Sequence, residues 1–182
     1  MNKSWFVVCL ISTLFSCKEQ KKIEHEIYDG PEVAMRNIDM LLTDSAVVKL
    51  RLVARTQLVL ANQDRDFPNG IYLRFYNPFG LVTSTLVADK GYYFSEEDYY
   101  QAEGNVIMRS LFSGDELSTE LLNWDPNEEQ IYTDNFVTIK TEDEVLTGEG
   151  LEATQDFEEY TILKPSGTMS IMPAPTNPPP RE

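Results

Sequence analysis

The sequence predicts an all-β domain built from repeats. Three observations support this fold class: apolar and polar residues alternate with period two from Val33 onward, turn-forming segments separate the alternating runs, and one short motif recurs along the chain. Alternation with period two is typical of strands with one buried face. No stretch has the spacing of an amphipathic helix.

The alternating runs indicate which residues share the buried face. Val47 to Arg55 is the clearest run, since Val48, Leu50, Leu52 and Ala54 alternate with more polar neighbours. Successive side chains of a strand point to opposite faces, so the apolar members of a run point the same way. Later runs place further apolar residues on that face: Ile71, Leu73, Phe75, Val106, Met108, Val137 and Ile139.

Turn signals separate these runs. They are TDS at residues 43–45, NPFG at 77–80, SGDE at 113–116 and TEDE at 141–144. Gly, Pro, Asn and Asp favour turns through their backbone preferences and their local hydrogen bonds. The chain is therefore expected to reverse direction at each of these segments.

A repeat of about 30 residues runs through the domain. Leu86-Val87-Ala88-Asp89 is followed 31 residues later by LSTE at 117–120, and LTGE at 146–149 comes 29 residues after that. A weaker copy begins at Leu52. Three further positions match between the copies. The first has Tyr93, Trp124 and Ala153, and the second has Tyr100, Ile131 and Tyr160. The third has Gly104, Asn135 and Gly167, which are residue types that tolerate positive φ. Such units share one core by stacking.

Three acidic clusters, at residues 96–98, 128–129 and 158–159, could be mistaken for catalytic carboxylate pairs. All three fall at similar places in the repeat, between predicted strands. We therefore interpret them as solvated turns. The tyrosine pairs at 92–93 and 99–100 are predicted to pack across strands, with one ring of each pair inward, and Trp124 is predicted to fill the core. For both, contact with a ligand is the alternative.

The N-terminus has the pattern of a lipoprotein signal. Lys3 precedes an apolar run of eleven residues, Trp5 to Phe15. As a helix this run would extend ~16 Å, too short for a hydrocarbon core of ~30 Å. It ends in LFSC at residues 14–17, which resembles a lipobox with Cys17 as the acylated residue. An ordinary signal peptide beside an unrelated cysteine is the alternative.

These features predict the organisation of the chain. We expect a signal peptide at residues 1–16, the lipidated Cys17 and a polar tether at 17–30, a β domain at 31–172, and a Pro-rich disordered tail at 173–182. Cys9 would be removed with the signal peptide, so the mature chain would have no disulfide.

Composition argues against several functions. The chain has 30 acidic and 15 basic side chains, a net charge of −15 and no basic stripe, which excludes binding to nucleic acid. It has no phosphate-binding loop, dinucleotide fingerprint or nucleophile elbow, and its single histidine, His25, lies in the tether. We therefore predict a protein that is not an enzyme and has neither cofactor nor metal site.

Several segments, in this order, resemble the LptC family, the periplasmic component of the lipopolysaccharide export machinery, and the OstA-like repeat it shares with LptA. They are AEGNV at 102–106, LSTE at 117–120, NWD at 123–125, IYTDNFVTI at 131–139 and GEGLEA at 148–153. The resemblance covers Val33 to Met172. This chain differs at the N-terminus, where it has a lipobox in place of the transmembrane helix of better-known members.

The resemblance implies an open, folded-over antiparallel sheet, a β-jellyroll with a lipid-holding groove. It also implies partners: lipopolysaccharide, the subunits of an inner-membrane ABC transporter, and an LptA-like carrier paired through the end strands. The lipid anchor would hold the chain on the periplasmic face of the inner membrane, with the outer membrane as the alternative. An open sheet edge invites such strand addition by a partner.

The groove is expected on the inward face, where the residues either contact acyl chains or pack together as a dry core. The predicted lining residues are Leu52, Ala54, Leu73, Phe75, Leu86, Ala88, Val106, Met108, Val137 and Ile139. The alternative function is a structural or adhesive cell-envelope lipoprotein without lipid cargo. A filled sandwich with a polar exterior would favour that alternative.

Overall fold

A computed structural model describes residues 30–167 of the chain, and it confirms the all-β prediction. Within this part all regular structure is strand, with no helix. The strands are β1 Val33–Asp44, β2 Val47–Val59, β3 Arg65–Phe67, β4 Ile71–Tyr76, β5 Val82–Ala88, β6 Lys90–Phe94, β7 Tyr99–Ser110, β8 Glu116–Asp125, β9 Gln130–Lys140, β10 Val145–Thr154 and β11 Tyr160–Ser166.

All eleven strands belong to one antiparallel sheet. β3 and β4 both pair with β2, and together they act as one interrupted strand. β5 pairs with β4 and β6 pairs with β3, so β5 and β6 act as a second interrupted strand. With these two counted as single strands, the sheet is a simple meander from β1 to β11. Each strand pairs with its neighbour in the sequence, so β1 and β11 are left at the two edges.

The sheet folds over along one line that crosses its strands. Asp89 separates β5 from β6, and the pairing registers break after Glu103 in β7, after Thr119 in β8 and at Gly150 in β10. Neighbouring strands therefore bend at adjacent positions. Bulges bend strands in this way and increase their twist. We call this line the crease. The front half-sheet is the part of the sheet that contains β4 and β5, and the rear half-sheet is the part that contains β3 and β6.

Local hydrogen bonds stabilise the crease. The Asn105 side chain donates to the Asp89 carboxylate at 2.6 Å, and the Asp89 amide donates to the carbonyl oxygen of Gly104 at 2.9 Å. Gly104 has a φ of +78°, in the left-handed region that glycine adopts without strain. Of the three repeat positions predicted to tolerate positive φ, Gly104 and Gly167 have it. Asn135 does not, whereas Asn105, next to Gly104, is left-handed with a φ of 46°.

The turns lie where the sequence predicted them. The segments around residues 45, 78, 114 and 142 connect β1 to β2, β4 to β5, β7 to β8 and β9 to β10. The three acidic clusters occupy the turns before β7, β9 and β11, and their side chains are exposed, as expected for solvated turns.

Several predictions concern residues outside the described part. The signal peptide at 1–16, Cys17, nearly all of the tether at 17–30, and the tail at 173–182 are among them. The described strands begin at Val33 and end at Ser166, inside the predicted β domain. Across residues 30–167, no helix is long and apolar enough to cross a membrane.

Candidate functional site: the apolar interior

All ten predicted lining residues lie in the front half-sheet and are buried, with exposures of 8 % or less. Five of them belong to one cross-strand row in which every member directly pairs with the next. This row, the front ladder, crosses eight strands: Met40, Leu52, Leu73, Leu86, Met108, Leu117, Ile139 and Leu146. The first leucines of the three repeat copies, Leu86, Leu117 and Leu146, are all members, which is the structural basis of the repeat.

The other five predicted residues lie in rows beside the front ladder. Ala54 and Ala88 flank Ile71 in one row, and Val106 and Val137 flank Thr119 in a row near the crease. Phe75 pairs with Leu50 and Ser84 on the far side of the ladder. The sequence therefore predicted one wall of the interior correctly as a shared inward face.

A second row, the rear ladder, forms the opposite wall and is absent from the predicted lining set. Its members pair directly across six strands: Tyr93, Tyr100, Trp124, Ile131, Ala153 and Tyr160. These six residues are the two repeat sets that follow the leucine motif. The repeat therefore carried the signal for this wall, but only the folding at the crease shows that it faces the front ladder.

The two walls are in direct contact. Phe75 of the front half-sheet meets Trp124 of the rear half-sheet edge-on, with ring centroids 5.4 Å apart. Tyr100 packs on Trp124 at 5.0 Å and on Tyr93 at 4.6 Å, which confirms the predicted cross-strand packing of these rings. The register places Tyr93 and Tyr100 inward and Tyr92 and Tyr99 outward, one of each pair as predicted.

The interior is nearly filled. The cavity between the half-sheets, lined by both walls from Leu52 and Phe75 to Leu122 and Trp124, measures about 20 Å³. That is room for about one water molecule. In this conformation the interior has the apolar lining of a lipid site without the space that an acyl chain requires.

A much larger pocket lies at the open side of the fold, opposite the crease. This pocket, which we call the mouth, measures about 500 Å³ and is lined by polar residues from both half-sheets, including Lys49, Asp98 and Glu129. Lys49 and Glu129 form an ion pair of 2.8 Å across it. Tyr100 and Trp124 line the mouth and the interior cavity alike, so these two rings separate one from the other.

A further depression, of about 660 Å³, lies on the outer surface along the crease. It is open, and acidic side chains such as Glu120, Asp134 and Glu149 line it beside the exposed ring of Phe136. An acidic, solvent-facing surface suits neither acyl chains nor the anionic head groups of lipopolysaccharide. The apolar interior and its mouth therefore remain the candidate lipid site.

The chemistry of the interior is that of a hydrophobic site. Burial raises the pKa of Tyr100 to about 12, so its phenol stays neutral at physiological pH. Among residues 30–167, every buried side-chain nitrogen or oxygen has a hydrogen-bond partner. Over the same residues, no group of three or more His, Cys, Asp or Glu side chains could hold a metal ion.

A folded-over antiparallel sheet with an apolar interior between its halves defines a protein of the β-jellyroll type. The LptC family, described as lipopolysaccharide-assembly, LptC-related, matches residues 4–168, and the chain belongs to this family. A comparison with curated proteins finds no match. Membership places the chain in lipopolysaccharide transport, in a non-enzymatic, periplasmic family associated with the inner membrane.

Proposed function

We propose that this chain holds the acyl chains of lipopolysaccharide between its front and rear half-sheets. It would receive the lipid from an inner-membrane ABC transporter and pass it to an LptA-like periplasmic carrier. The two apolar ladders carry this proposal, because together they offer a continuous hydrocarbon surface across the sheet. No bond is made or broken in this role, and the partner ATPase supplies the energy.

The two edges of the sheet suit the transfer. Within residues 30–167, β1 pairs only with β2 and β11 only with β10, so each has one side without a partner strand in this part of the chain. Strand addition by a partner would satisfy those backbone groups and would continue the ladders into the next protein. We infer that one edge meets the transporter and the other meets the carrier.

The filled interior is the observation that favours the alternative, a structural or adhesive envelope protein without cargo. With about 20 Å³ of free volume, the half-sheets must separate before acyl chains can enter. The proposal therefore requires an opening motion, and lipid capture distinguishes the two functions.

A photo-crosslinking amino acid placed at Met108, on the front ladder, should capture lipopolysaccharide in cells. Arg109 is the matched control, because it is the next residue of β7 and its side chain is outward and 60 % exposed. Capture at Met108 and not at Arg109 supports the groove. Capture at Arg109 with none at Met108 would overturn it.

A pull-down from native membranes tests the partners. The transporter subunits and lipopolysaccharide should be recovered with the full chain. Recovery of neither would favour the structural alternative.

A further inference from the structure

The turn between β10 and β11 is unlike the two turns that precede it in the repeat. The turns before β7 and β9 have four residues each and end in Asp98 and Glu129, which are exposed and left-handed, with φ values of 54° and 52°. The third turn, residues 155–159, has five. Its left-handed residue is Phe157, with a φ of 59° and a side chain that is 0 % exposed.

A buried phenylalanine in this conformation is unusual. Bulky residues rarely adopt positive φ, because the side chain crowds the following carbonyl. Here the ring stacks on Tyr160, the last member of the rear ladder, at 5.1 Å, and it belongs to the hydrophobic core. Burial of the ring therefore compensates for backbone strain that would be released if the turn moved outward.

The same turn joins the two half-sheets. The Ser84 hydroxyl, on the inward face of β5 in the front half-sheet, donates to the backbone carbonyl of Gln155 at 2.9 Å. The indole nitrogen of Trp124, in the rear half-sheet, donates to the side-chain oxygen of Gln155 at 3.2 Å. Gln155 thus bridges the inward faces of both walls.

Gln155 and Trp124 also line the mouth, and Trp124 separates the mouth from the interior. Outward movement of the turn would break both hydrogen bonds of Gln155 to the walls and withdraw the Phe157 ring. It would also free the Trp124 indole, which together with Tyr100 separates the mouth, a pocket of about 500 Å³, from the apolar interior.

We propose that the β10–β11 turn is a removable plug, and that an acyl chain enters through the mouth and occupies the volume that Phe157 fills in the empty protein. This inference rests on the proposed function, and it adds the place where lipid enters and the residue that it displaces. Three hydrogen bonds of Gln155 join the turn to Ser84, Trp124 and Glu129, and the strain favours release, so a hydrocarbon chain can replace the ring at small net cost.

Hydrogen–deuterium exchange of the full chain, with and without purified lipopolysaccharide, tests the plug in the unaltered protein. The amides of Gln155 and Phe157 donate to Glu129 and Thr154 at 3.0 and 2.9 Å, so the turn should exchange slowly in the empty protein. Lipopolysaccharide should speed its exchange by about tenfold or more, while the β9 peptide stays protected.

The outcomes separate the plug from the function. If lipopolysaccharide is retained and the turn exchanges no faster, the plug is overturned and the lipid-carrying function stands. If no lipopolysaccharide is retained, the proposed function fails and the plug fails with it. Faster exchange confined to the turn in the lipid-bound protein supports both.

A second test weakens the plug without removing its ring. Ser84→Ala deletes one donor to Gln155 and should speed lipopolysaccharide binding about 3- to 10-fold, the range expected for one hydrogen bond. Thr85→Ala is the matched control, since it removes a hydroxyl from the next, outward position of the same strand. Equal binding rates for the two variants would contradict the plug.

Discussion

At the residue scale, a few aromatic side chains determine how the two walls meet. Trp124 contacts Phe75 of the opposite wall, packs at a tilt on Tyr100 and donates to Gln155. An indole has a large apolar surface and one polar group, so it can fill a core while its nitrogen keeps a hydrogen bond. Trp124 confirms the predicted core role, and it also lies at the boundary between the mouth and the interior.

Tyr100 gives a prediction at this scale. Its pKa is about 12 in the folded protein because of burial, while that of an unfolded tyrosine is about 10. Above pH 10 the unfolded chain therefore loses a proton that the folded chain keeps, so stability falls as the pH rises toward 12. Denaturant unfolding across this range should show a smaller loss of stability for Tyr100→Phe than for the unaltered protein. The difference should be at most about tenfold per pH unit in the unfolding equilibrium constant.

Tyr132→Phe is the matched control, because Tyr132 lies in β9 with 40 % exposure. Its pH dependence should follow that of the unaltered protein. An unchanged pH dependence in Tyr100→Phe would show that this phenol does not carry the effect.

At the scale of elements, the β10–β11 pair is held closely at one glycine. A Cβ on Gly148 would lie 2.5 Å from the carbonyl oxygen of Lys164 and 2.9 Å from the Cα of Pro165, and it would also meet Ile162. The edge strand β11 therefore lies so close to Gly148 of β10 that a single added Cβ would clash with its backbone. This close approach matters because β11 is one of the two edge strands that the described residues form.

Gly148→Ala should displace β11 and lower the free energy of unfolding by about 1–3 kcal/mol, as overpacking does when backbone must move. Thermal unfolding followed by circular dichroism measures this loss. Glu149→Ala is the control: it alters the next residue, whose side chain is 66 % exposed, and should change stability little. Equal losses in both variants would argue against the steric explanation.

At the scale of the whole molecule, we propose that the residues between Cys17 and β1 tether the β domain to a membrane. Residues 18–32 number fifteen and could extend at most about 50 Å. With Cys17 acylated, the domain would stay close to one membrane surface, within reach of a membrane-bound transporter. We propose that the lipid anchor replaces the transmembrane helix of other family members.

Cys17→Ala should release the protein into the soluble fraction, because several buried acyl chains are needed for durable attachment. Fractionation with a carbonate wash, followed by immunoblotting, measures the distribution. Cys9→Ala, within the apolar run, is the control and should leave attachment intact. A Cys17→Ala protein that stays with membranes would show that the anchor lies elsewhere.

The sequence by itself determined the fold class, the turns and one wall of the interior. Alternation within a strand fixes which residues share a face, and the leucine motif at Leu86, Leu117 and Leu146 fixed the register of the front ladder. Only the tertiary structure decided that the sheet folds at the crease, that Tyr100 and Trp124 form the facing wall, and that Phe157 points inward from an acidic turn. These features depend on bends and on contacts between residues distant in sequence, which local periodicity does not encode.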